Sequence, residues 1–368
     1  MKLRIFTLFV ALIILGIGCV AGCNDGATTD PSKEAVTADQ TTAPADATTG
    51  TAAPETTAPA ETTKAPSRLI SDQIQSAQIA DNNRVGDSGA ENIFIYLPPN
   101  YFDTQKAYPV LYYLHGHGET SGAFLYNSKS ELDKLFAEGE PAFIMVEIAG
   151  TGSTNGSFYV NSPASGNWES CLIEEIIPYV DAQYRTLAKA ESRGICGFSM
   201  GGFGAMNLAL RNPDVFGAVY AMSPGIMKND ALPEAMESWA GDSTFLQAYA
   251  RAFAPNPEKP NIFGDIPTLD GTDADNLIAA KWYDGFGNWD QKLDDYLALK
   301  TPLRAIGICY GTADSYTWIT TGSADFVDLL RENGIEPTVL AFDGGHAIPV
   351  GIITDQLGPF FLENLERE

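Results

Sequence analysis

The sequence predicts an α/β fold in which helices cover both faces of a mostly parallel sheet. A chain of 368 residues with 45% hydrophobic content can form a large core. Short apolar runs alternate with longer helical patterns, and several runs are almost wholly apolar, as strands buried on both faces must be. The predicted strands are residues 92–98, 108–116, 141–148, 193–199, 216–224, 303–311 and 338–344.

Two helices between these runs are predicted from their apolar patterns. Residues 169–184 place five apolar side chains on one helical face, namely Leu172, Ile173, Ile176, Ile177 and Val180. Pro178 is expected to bend or shorten this helix, because proline cannot donate a backbone hydrogen bond. A second apolar helix is expected directly after Ser199.

Residues 225–300 break the alternation. They separate the runs 216–224 and 303–311, which we take as the sixth and seventh strands of the fold. So long a connection predicts a cap-like insertion over the carboxyl edge of the sheet. Its aromatic residues could stack on sugar or phenolic rings, or they could form the core of the insertion itself. They include Trp239, Trp282, Tyr283, Phe286 and Trp289.

The amino terminus has the features of an export signal. Lys2 and Arg4 precede an apolar run, residues 5–17, that is short for a membrane span. The sequence Val-Ala-Gly-Cys that ends at Cys23 is typical of a bacterial lipobox. Residues 1–22 are therefore predicted to be a lipoprotein signal peptide, and Cys23 is predicted to carry the lipid. Ordinary secretion with an unmodified Cys23 is the alternative.

Residues 23–67 are rich in Thr, Ala and Pro and have few large apolar side chains. Such a segment cannot bury enough surface to offset its ordering entropy, so it is predicted to be a disordered tether. Residues 68–368 are then the folded domain, held at the extracellular face of a bacterial membrane. A passive linker without this purpose is the alternative interpretation.

The chain is strongly acidic, with a formal net charge of −25. This charge argues against nucleic acid as a partner, and we interpret it as solubility of an exported protein rather than a site for a cation. Cys196 and Cys309 lie in apolar runs. They are expected to be small core residues rather than disulfide partners or metal ligands.

A Gly-x-Ser-x-Gly pattern spans Gly197, Ser199 and Gly201. It could be a plain glycine-rich bend. However, Ser199 ends a predicted strand and begins a predicted helix, so the chain must reverse sharply and expose the hydroxyl. A side chain at position 197 or 201 would collide with the neighbouring turn. We therefore predict that Ser199 is a nucleophile.

A serine nucleophile needs a base, and the chain has only three histidines. His115 and His117 precede Ser199, whereas His346 follows the last predicted strand. In the α/β-hydrolase fold the order is nucleophile, acid, histidine, so His346 is predicted to be the base. Asp314, directly after the penultimate strand, is the predicted acid, and Asp343 is its rival.

An acyl-transfer site also needs two backbone donors for the oxyanion. The residue after the nucleophile, Met200, is expected to supply one. The sequence HGHGE places the amide of His117 as the second, between Gly116 and Gly118, which allow close approach. A metal site at His115 and His117 is the alternative, but no cluster of acidic or cysteine residues accompanies them in the sequence.

Seven segments in this order resemble the "putative esterase" group of the α/β-hydrolases. They are IYLPPNY, VLYYLHGHGE, NSPASGNWE, EEIIPYVDAQYRT, GFSMGGFGAMNLALRNPDVFGAVYAMSP, YGTADS and GGH. This group includes esterase D (S-formylglutathione hydrolase), mycolyltransferases, enterochelin esterases, and the acetylxylan and feruloyl esterases of carbohydrate esterase family one. The resemblance covers about residues 91–349. It implies the same triad, Ser199, Asp314 and His346, with oxyanion amides at His117 and Met200.

The expected protein is a lipid-anchored, extracellular serine esterase that needs no cofactor or metal. Acetyl or feruloyl groups on plant cell-wall polysaccharide such as xylan are the expected substrates, with small esters also accepted. A siderophore esterase and an S-formylglutathione hydrolase-like thioesterase are alternatives within enzymes. A surface module that binds glycans without catalysis is the alternative from another class.

Overall fold

The structure, a computed structural model, describes residues 65–138 and 141–368. The predicted signal peptide, the predicted lipidation site at Cys23 and the predicted tether up to residue 64 lie outside the described residues. The described residues fall within one compact unit, Glu61–Glu368. Within them, no helix is both long enough and apolar enough to cross a membrane.

Eight strands of the described residues form one sheet, in the order β1-β2-β4-β3-β7-β8-β9-β10. The pairs β1–β2 and β2–β4 are antiparallel, and all other neighbours are parallel. The remaining two strands, β5 and β6, form a separate short hairpin. The strands are β1 (Arg68–Gln75), β2 (Ala90–Leu97), β3 (Val110–Leu114), β4 (Ile144–Ile148), β5 (Asn161–Ser162), β6 (Gly166–Asn167), β7 (Arg193–Phe198), β8 (Ala218–Met222), β9 (Ala305–Gly311) and β10 (Thr338–Phe342).

The four strands β3, β4, β7 and β8 are buried along their whole length, as their apolar sequences predicted. Cys196 in β7 and Cys309 in β9 are buried and free, so they act as core residues. Strand β1 was not predicted. It pairs only with β2 at the edge of the sheet, and its alternating exposure allows polar residues at many positions.

Helices cover both faces of the sheet. A Cβ on Gly194 of β7 would meet Phe361 at 2.6 Å, whereas one on Gly197 would meet Gly201 at 2.2 Å. Residues three apart in a strand point to opposite faces, so the two helices that carry Phe361 and Gly201 pack on opposite sides. The predicted architecture, a mostly parallel sheet with helices on both faces, is therefore confirmed.

Eleven α-helices occur in the described residues. They are α1 (Ala77–Ala80), α2 (Ala123–Leu135), α3 (Trp168–Ser170), α4 (Ile177–Gln183), α5 (Met200–Arg211), α6 (Leu232–Ser238), α7 (Ser243–Phe253), α8 (Asp273–Phe286), α9 (Trp289–Leu299), α10 (Thr317–Glu332) and α11 (Gly358–Asn364). Short 3₁₀ segments are Tyr101–Asp103 and Ala190–Ser192, and π segments are Cys171–Ile176 and Ile353–Leu357.

The helix predicted for residues 169–184 is interrupted as Pro178 suggested. A π segment, Cys171–Ile176, joins α3 to α4, and Pro178 lies in the first turn of α4. Proline has no N–H to donate to the preceding turn, so the bonding pattern changes where the proline enters.

The insertion lies between β8 and β9, the sixth and seventh strands of the sheet in chain order, as predicted. It contains helices α6 to α9. The side chain of Asp242 accepts a hydrogen bond from the amide of Thr244 at the start of α7, and Thr272 caps α8 through the amide of Asp275. Aromatic side chains from α7 and α8 pack together beneath these helices, as Tyr249, Phe253 and Phe286 do.

Candidate active site

Ser199 lies in the turn that joins β7 to α5. Its backbone has φ 55° and ψ −112°, a conformation that L-residues rarely adopt and that costs about 1–3 kcal/mol. The amide of Ser199 donates to the carbonyl of Met222 in β8 at 2.9 Å, which holds the turn against the sheet. This strained turn places Ser199 at the carboxyl end of β7.

The two glycines of the motif are required by close backbone contacts. A Cβ on Gly201 would lie 1.9 Å from the carbonyl oxygen of Leu114, and a Cβ on Gly197 would lie 2.2 Å from that of Gly201. Strand β3, which ends at Leu114, thus passes directly against the serine turn. The collision that the sequence predicted at these two positions is present in the structure.

Ser199, His346 and Asp314 form a continuous hydrogen-bonded chain. The Oγ of Ser199 is 2.9 Å from Nε2 of His346, and Nδ1 of His346 is 2.7 Å from Oδ2 of Asp314. The imidazole ring lies between Phe198 and Tyr316, with both ring centroids 5.0 Å away. This arrangement can transfer a proton from the serine hydroxyl to the imidazole.

The structure distinguishes between the two candidate acids, Asp314 and Asp343. Asp314 is 4% exposed, and its other carboxylate oxygen accepts a 2.8 Å hydrogen bond from the amide of Tyr316. Asp343 is exposed, and no hydrogen bond or ion pair of its side chain occurs in the described part of the chain. Only Asp314 therefore contacts the imidazole.

The two residues that carry the predicted oxyanion amides are His117, in the loop after β3, and Met200, the first residue of α5. A Cβ on Gly156 would contact the His117 ring and the Met200 sulfur, each at 2.7 Å, so these two residues approach each other across Gly156. Neither amide donates a hydrogen bond to an acceptor within residues 65–138 and 141–368. Both amides are thus available to an incoming oxygen atom.

The other two histidines have side chains that are already engaged. His115 is buried, with Nδ1 2.8 Å from the carbonyl of Gly116 and Nε2 accepting from the amide of Gly150 at 3.1 Å. The ring of His117 stacks on Phe245 of α7 at 3.8 Å. Burial lowers the pKa of His117 to about 4, so this imidazole is neutral at physiological pH.

A narrow aromatic pocket adjoins Ser199. Its volume is about 20 Å³, little more than the roughly 10–15 Å³ that one water molecule needs. Five aromatic rings form most of its wall, together with Met200, Gly225 and Ile319. The five rings are those of Phe158, Trp239, Phe245, Tyr249 and Trp318. A sixth aromatic residue, Tyr316, closes the side next to His346. We call this the acyl pocket.

The insertion therefore contributes aromatic side chains to the site, but of those named from the sequence only Trp239 lines the pocket. Trp282 is 0% exposed and donates to the carbonyl of Asp265, and Trp289 is 4% exposed. Neither ring can stack on a ligand without unfolding part of the insertion. These two residues form its core, whereas Trp239 and Phe245 line the acyl pocket.

Sequence reasoning missed the loop between β4 and β5. Phe158 and Tyr159 both have positive φ, 54° and 55°, and both are buried. Phe158 lines the acyl pocket, and the hydroxyl of Tyr159 donates to the carbonyl of His115 at 3.0 Å. This loop thus holds the backbone just before the predicted oxyanion residue. The segment NSPASGNWE, which begins at residue 161 directly after this loop, was the sequence signal that could have pointed to it.

Comparison with known proteins identifies the family. The family model "Putative esterase" matches residues 89–296, more than half of the chain. An esterase from Mycobacterium tuberculosis is 29% identical over 209 residues, which are 52% of this chain and 44% of the relative. An endo-1,4-beta-xylanase/feruloyl esterase from Xylanibacter ruminicola is 33% identical over 138 residues, 36% of this chain and 19% of that protein. The chain thus spans less than half the length of these relatives.

Solved structures share the fold. A ferulic acid esterase has a TM-score of 0.54 at 23% identity, covering 77% of this chain and 92% of its own. An S-formylglutathione hydrolase from Agrobacterium tumefaciens has a TM-score of 0.53 at 18% identity, covering 81% and 95%. Together with the family match, these findings show that the chain belongs to the "Putative esterase" family of serine hydrolases with the α/β-hydrolase fold.

Proposed function

We propose that this protein is a serine carboxylic ester hydrolase in which Ser199, His346 and Asp314 form the catalytic triad. The observation that carries the proposal is the hydrogen-bonded chain from Ser199 Oγ through His346 to Asp314, with distances of 2.9 and 2.7 Å. The family match supports the reaction class. No step of this reaction needs a cofactor or a metal.

In the proposed reaction, Ser199 Oγ attacks the ester carbonyl carbon while its proton passes to Nε2 of His346. The amides of His117 and Met200 stabilise the oxyanion of the tetrahedral intermediate. The intermediate collapses, and the departing alcohol takes the proton from Nε2. Water, deprotonated by His346, then attacks the acyl-serine, which releases the carboxylic acid and restores the Ser199 hydroxyl.

The acyl pocket supports an acetyl group as the acyl part of the substrate. With a volume of about 20 Å³ it has room for a group the size of a methyl. A feruloyl group carries a substituted aromatic ring, which cannot enter while Trp239 and Phe245 occupy their present positions. Feruloyl release is the second candidate, favoured by the name of the Xylanibacter ruminicola relative.

We further propose that the acetyl groups are carried by plant cell-wall polysaccharide such as xylan, and that the enzyme acts outside the cell. The predicted lipid anchor at Cys23 and the tether of residues 23–67 would place the domain at the outer face of the membrane, within reach of an insoluble polymer. Small esters would be accepted as well, because the triad needs only the reacting bond.

The Ser199→Ala variant tests the reaction. We expect wild-type stability, complete loss of p-nitrophenyl acetate hydrolysis and loss of labelling by a fluorophosphonate probe. A variant that retains wild-type turnover would overturn the mechanism. If the wild-type protein itself takes no label, the glycan-binding module without catalysis becomes the better interpretation.

A substrate panel tests the acyl group. Acetylated xylan, feruloylated arabinoxylan, enterobactin and S-formylglutathione are compared, with methyl ferulate and p-nitrophenyl acetate as small esters. We expect acetate release to dominate. The Phe245→Ala variant should raise hydrolysis of methyl ferulate relative to the acetyl ester, because it removes one wall of the acyl pocket. Leu246→Ala, next to it on α7 but outside the pocket wall, is the control. Faster feruloyl than acetyl release by the wild-type enzyme would contradict the acetyl assignment.

A further inference from the structure

A groove of about 840 Å³ lies between α5 and the insertion, apart from the acyl pocket. Its walls come from the second half of α5, the ends of α7 and α8, and the length of α9. The groove and the acyl pocket have no lining residue in common. Phe158 lines the acyl pocket and Phe253 lines the groove, and the centroids of their rings are 5.1 Å apart. This groove is large enough to hold a small ligand.

Asn207 of α5 lies at the floor of the groove. It is 6% exposed, and its side-chain amide makes no hydrogen bond to any group in the described part of the chain. A buried amide normally satisfies both its donors and its acceptor. An unpartnered amide that faces a cavity is therefore suited to a ligand that both donates and accepts hydrogen bonds.

Two of the three cations that line the groove are engaged by protein groups, whereas Lys281 is exposed and makes no hydrogen bond or ion pair within the described residues. Arg211 pairs with Glu169 at 3.2 Å. Lys292 donates to the backbone oxygens of Asp284 and Gly287 at 3.0 and 2.7 Å. Burial, together with the charge of Arg211, lowers the pKa of Lys292 to about 8. One unpaired lysine beside the carboxylates of Glu169, Asp284 and Asp295 is not the convergent set of cations that a phosphate group requires, so a neutral ligand fits better.

The remaining wall combines apolar, amide and carboxylate groups, the carboxylates being those of Asp284 and Asp295. Leu210, Phe253 and Tyr296 supply apolar surface, and the amides of Asn288 and Gln291 lie at the rim. Apolar surface with a few placed polar groups suits a pyranose ring, which has apolar C–H faces and hydroxyls at its edge. Hydroxyl groups can donate and accept at once, which is what the Asn207 amide lacks.

From these observations we infer that the groove is a second, non-catalytic carbohydrate site, which holds a neutral stretch of the polysaccharide while Ser199 acts elsewhere. The inference rests on the proposed polysaccharide substrate. Asn207 is eight residues beyond Ser199 on the same helix, roughly 12 Å along its axis. Binding in the groove would thus add affinity for a polymer but none for a small ester.

The test uses the full chain and two variants, Asn207→Leu and Gln291→Ala. Leucine has a similar volume and removes a buried polar group, so it should not impair folding. Gln291 is exposed, so its truncation is safe for the fold. Binding to alkali-treated xylan, which carries no acetyl groups, is measured by affinity electrophoresis. Michaelis constants are measured on acetylated xylan and on p-nitrophenyl acetate.

In Asn207→Leu we expect the dissociation constant for xylan to rise about fivefold, as loss of one hydrogen bond predicts. The Michaelis constant on acetylated xylan should rise similarly, and p-nitrophenyl acetate hydrolysis should stay within about twofold. Gln291→Ala should show the same trend with a smaller change.

Wild-type xylan binding by Asn207→Leu would overturn the inference, as would absence of xylan binding by the wild-type protein. Displacement of xylan by inorganic phosphate would also overturn it, since it would indicate an anion site. If Asn207→Leu loses xylan binding but the wild-type protein releases no acetate from xylan, the groove remains a carbohydrate site and the proposed substrate is refuted. Acetate release from xylan together with unchanged xylan binding by Asn207→Leu would support the proposed substrate and refute the groove as a carbohydrate site.

Discussion

Replacement of Gly201 by alanine is expected to impair catalysis through the backbone of the neighbouring strand. The new Cβ would lie 1.9 Å from the carbonyl oxygen of Leu114 and 2.7 Å from that of His115. Ordinary contacts begin near 3.4 Å, so the chain at Leu114 or the serine turn must move by about 1.5 Å. Both atoms belong to backbone, which has no side-chain rotamer to yield.

The consequence for rate follows from what that backbone carries. Residues 115–118 include His117, whose amide is a proposed oxyanion donor. Ser199 lies two residues before the substituted position. A displacement of about 1 Å in a catalytic group can cost about a hundredfold in rate. We therefore expect kcat/KM for p-nitrophenyl acetate to fall at least about a hundredfold in Gly201→Ala, although alanine favours helix over glycine.

The assay compares three proteins by p-nitrophenyl acetate hydrolysis, fluorophosphonate labelling and urea unfolding. Gly241→Ala is the matched control, because a Cβ there would have nothing within 4 Å. It should keep wild-type kinetics. Gly201→Ala should fold, as judged by a cooperative unfolding transition, and yet react slowly. A folded Gly201→Ala with wild-type kcat/KM would refute the argument that this close approach sets the geometry of the site.

Three further predictions follow from the structure. Asp314→Asn should lower kcat on p-nitrophenyl acetate about ten-thousandfold and Asp343→Asn less than about twofold; equal losses would refute the assignment of the acid. Trp282→Ala should lower the free energy of unfolding by about 3–5 kcal/mol and change kinetics on xylan and on small esters by the same factor; a selective effect on xylan would show that its ring binds substrate. Burial raises the pKa of Glu91 from 4.5 to about 7, so its ionisation should cost stability as pH rises from 4.5 through 7. Glu91→Gln should leave stability at pH 4.5 unchanged and raise it by about 3 kcal/mol at pH 8 in urea unfolding; an equal gain at both values would mean that charge is not the cause.

The sequence predicted the strands that are buried on both faces, because burial restricts their residues to apolar types. Strands β3, β4, β7 and β8 are covered on both faces, so their sequences are almost wholly apolar and easily recognised. Strand β1 was missed because an edge strand with one exposed face keeps polar residues such as Asp72 and Gln73. Its pairing with β2 is a long-range property that short sequence windows do not contain.

The proposed chemistry was predictable for a related reason. Ser199 ends a predicted strand and Asp314 and His346 each follow one, and the carboxyl ends of parallel strands meet at one edge of the sheet. The order of these residues along the chain then limits the choice of base. The acid stayed open between Asp314 and Asp343, because both follow strands, and only the distances to His346 separate them.

The acyl pocket could not be predicted in the same way, because its wall is built from parts that are distant in sequence. Phe158 comes from the loop after β4, Trp239 and Phe245 from the insertion, and Trp318 from α10. The sequence could not tell which aromatic residues of the insertion face the site, since Trp282 and Trp239 have equally apolar neighbours. Their positions depend on how α7 and α8 pack, as in the stacking of Tyr249 on both rings.

The site thus has two parts with different physical origins. The proposed triad and the proposed oxyanion amides are positioned by strand ends and by backbone contacts such as that between Gly201 and Leu114. The insertion adds part of the wall of the acyl pocket, and Phe245 joins the two parts by stacking on His117. This stacking covers the side chain of His117, whose backbone amide is a proposed oxyanion donor. A change at Phe245 in the insertion therefore acts directly on the loop that carries this amide. Substitutions at Phe245 should therefore alter the choice of acyl group and kcat together, whereas those at Trp282 should act through stability.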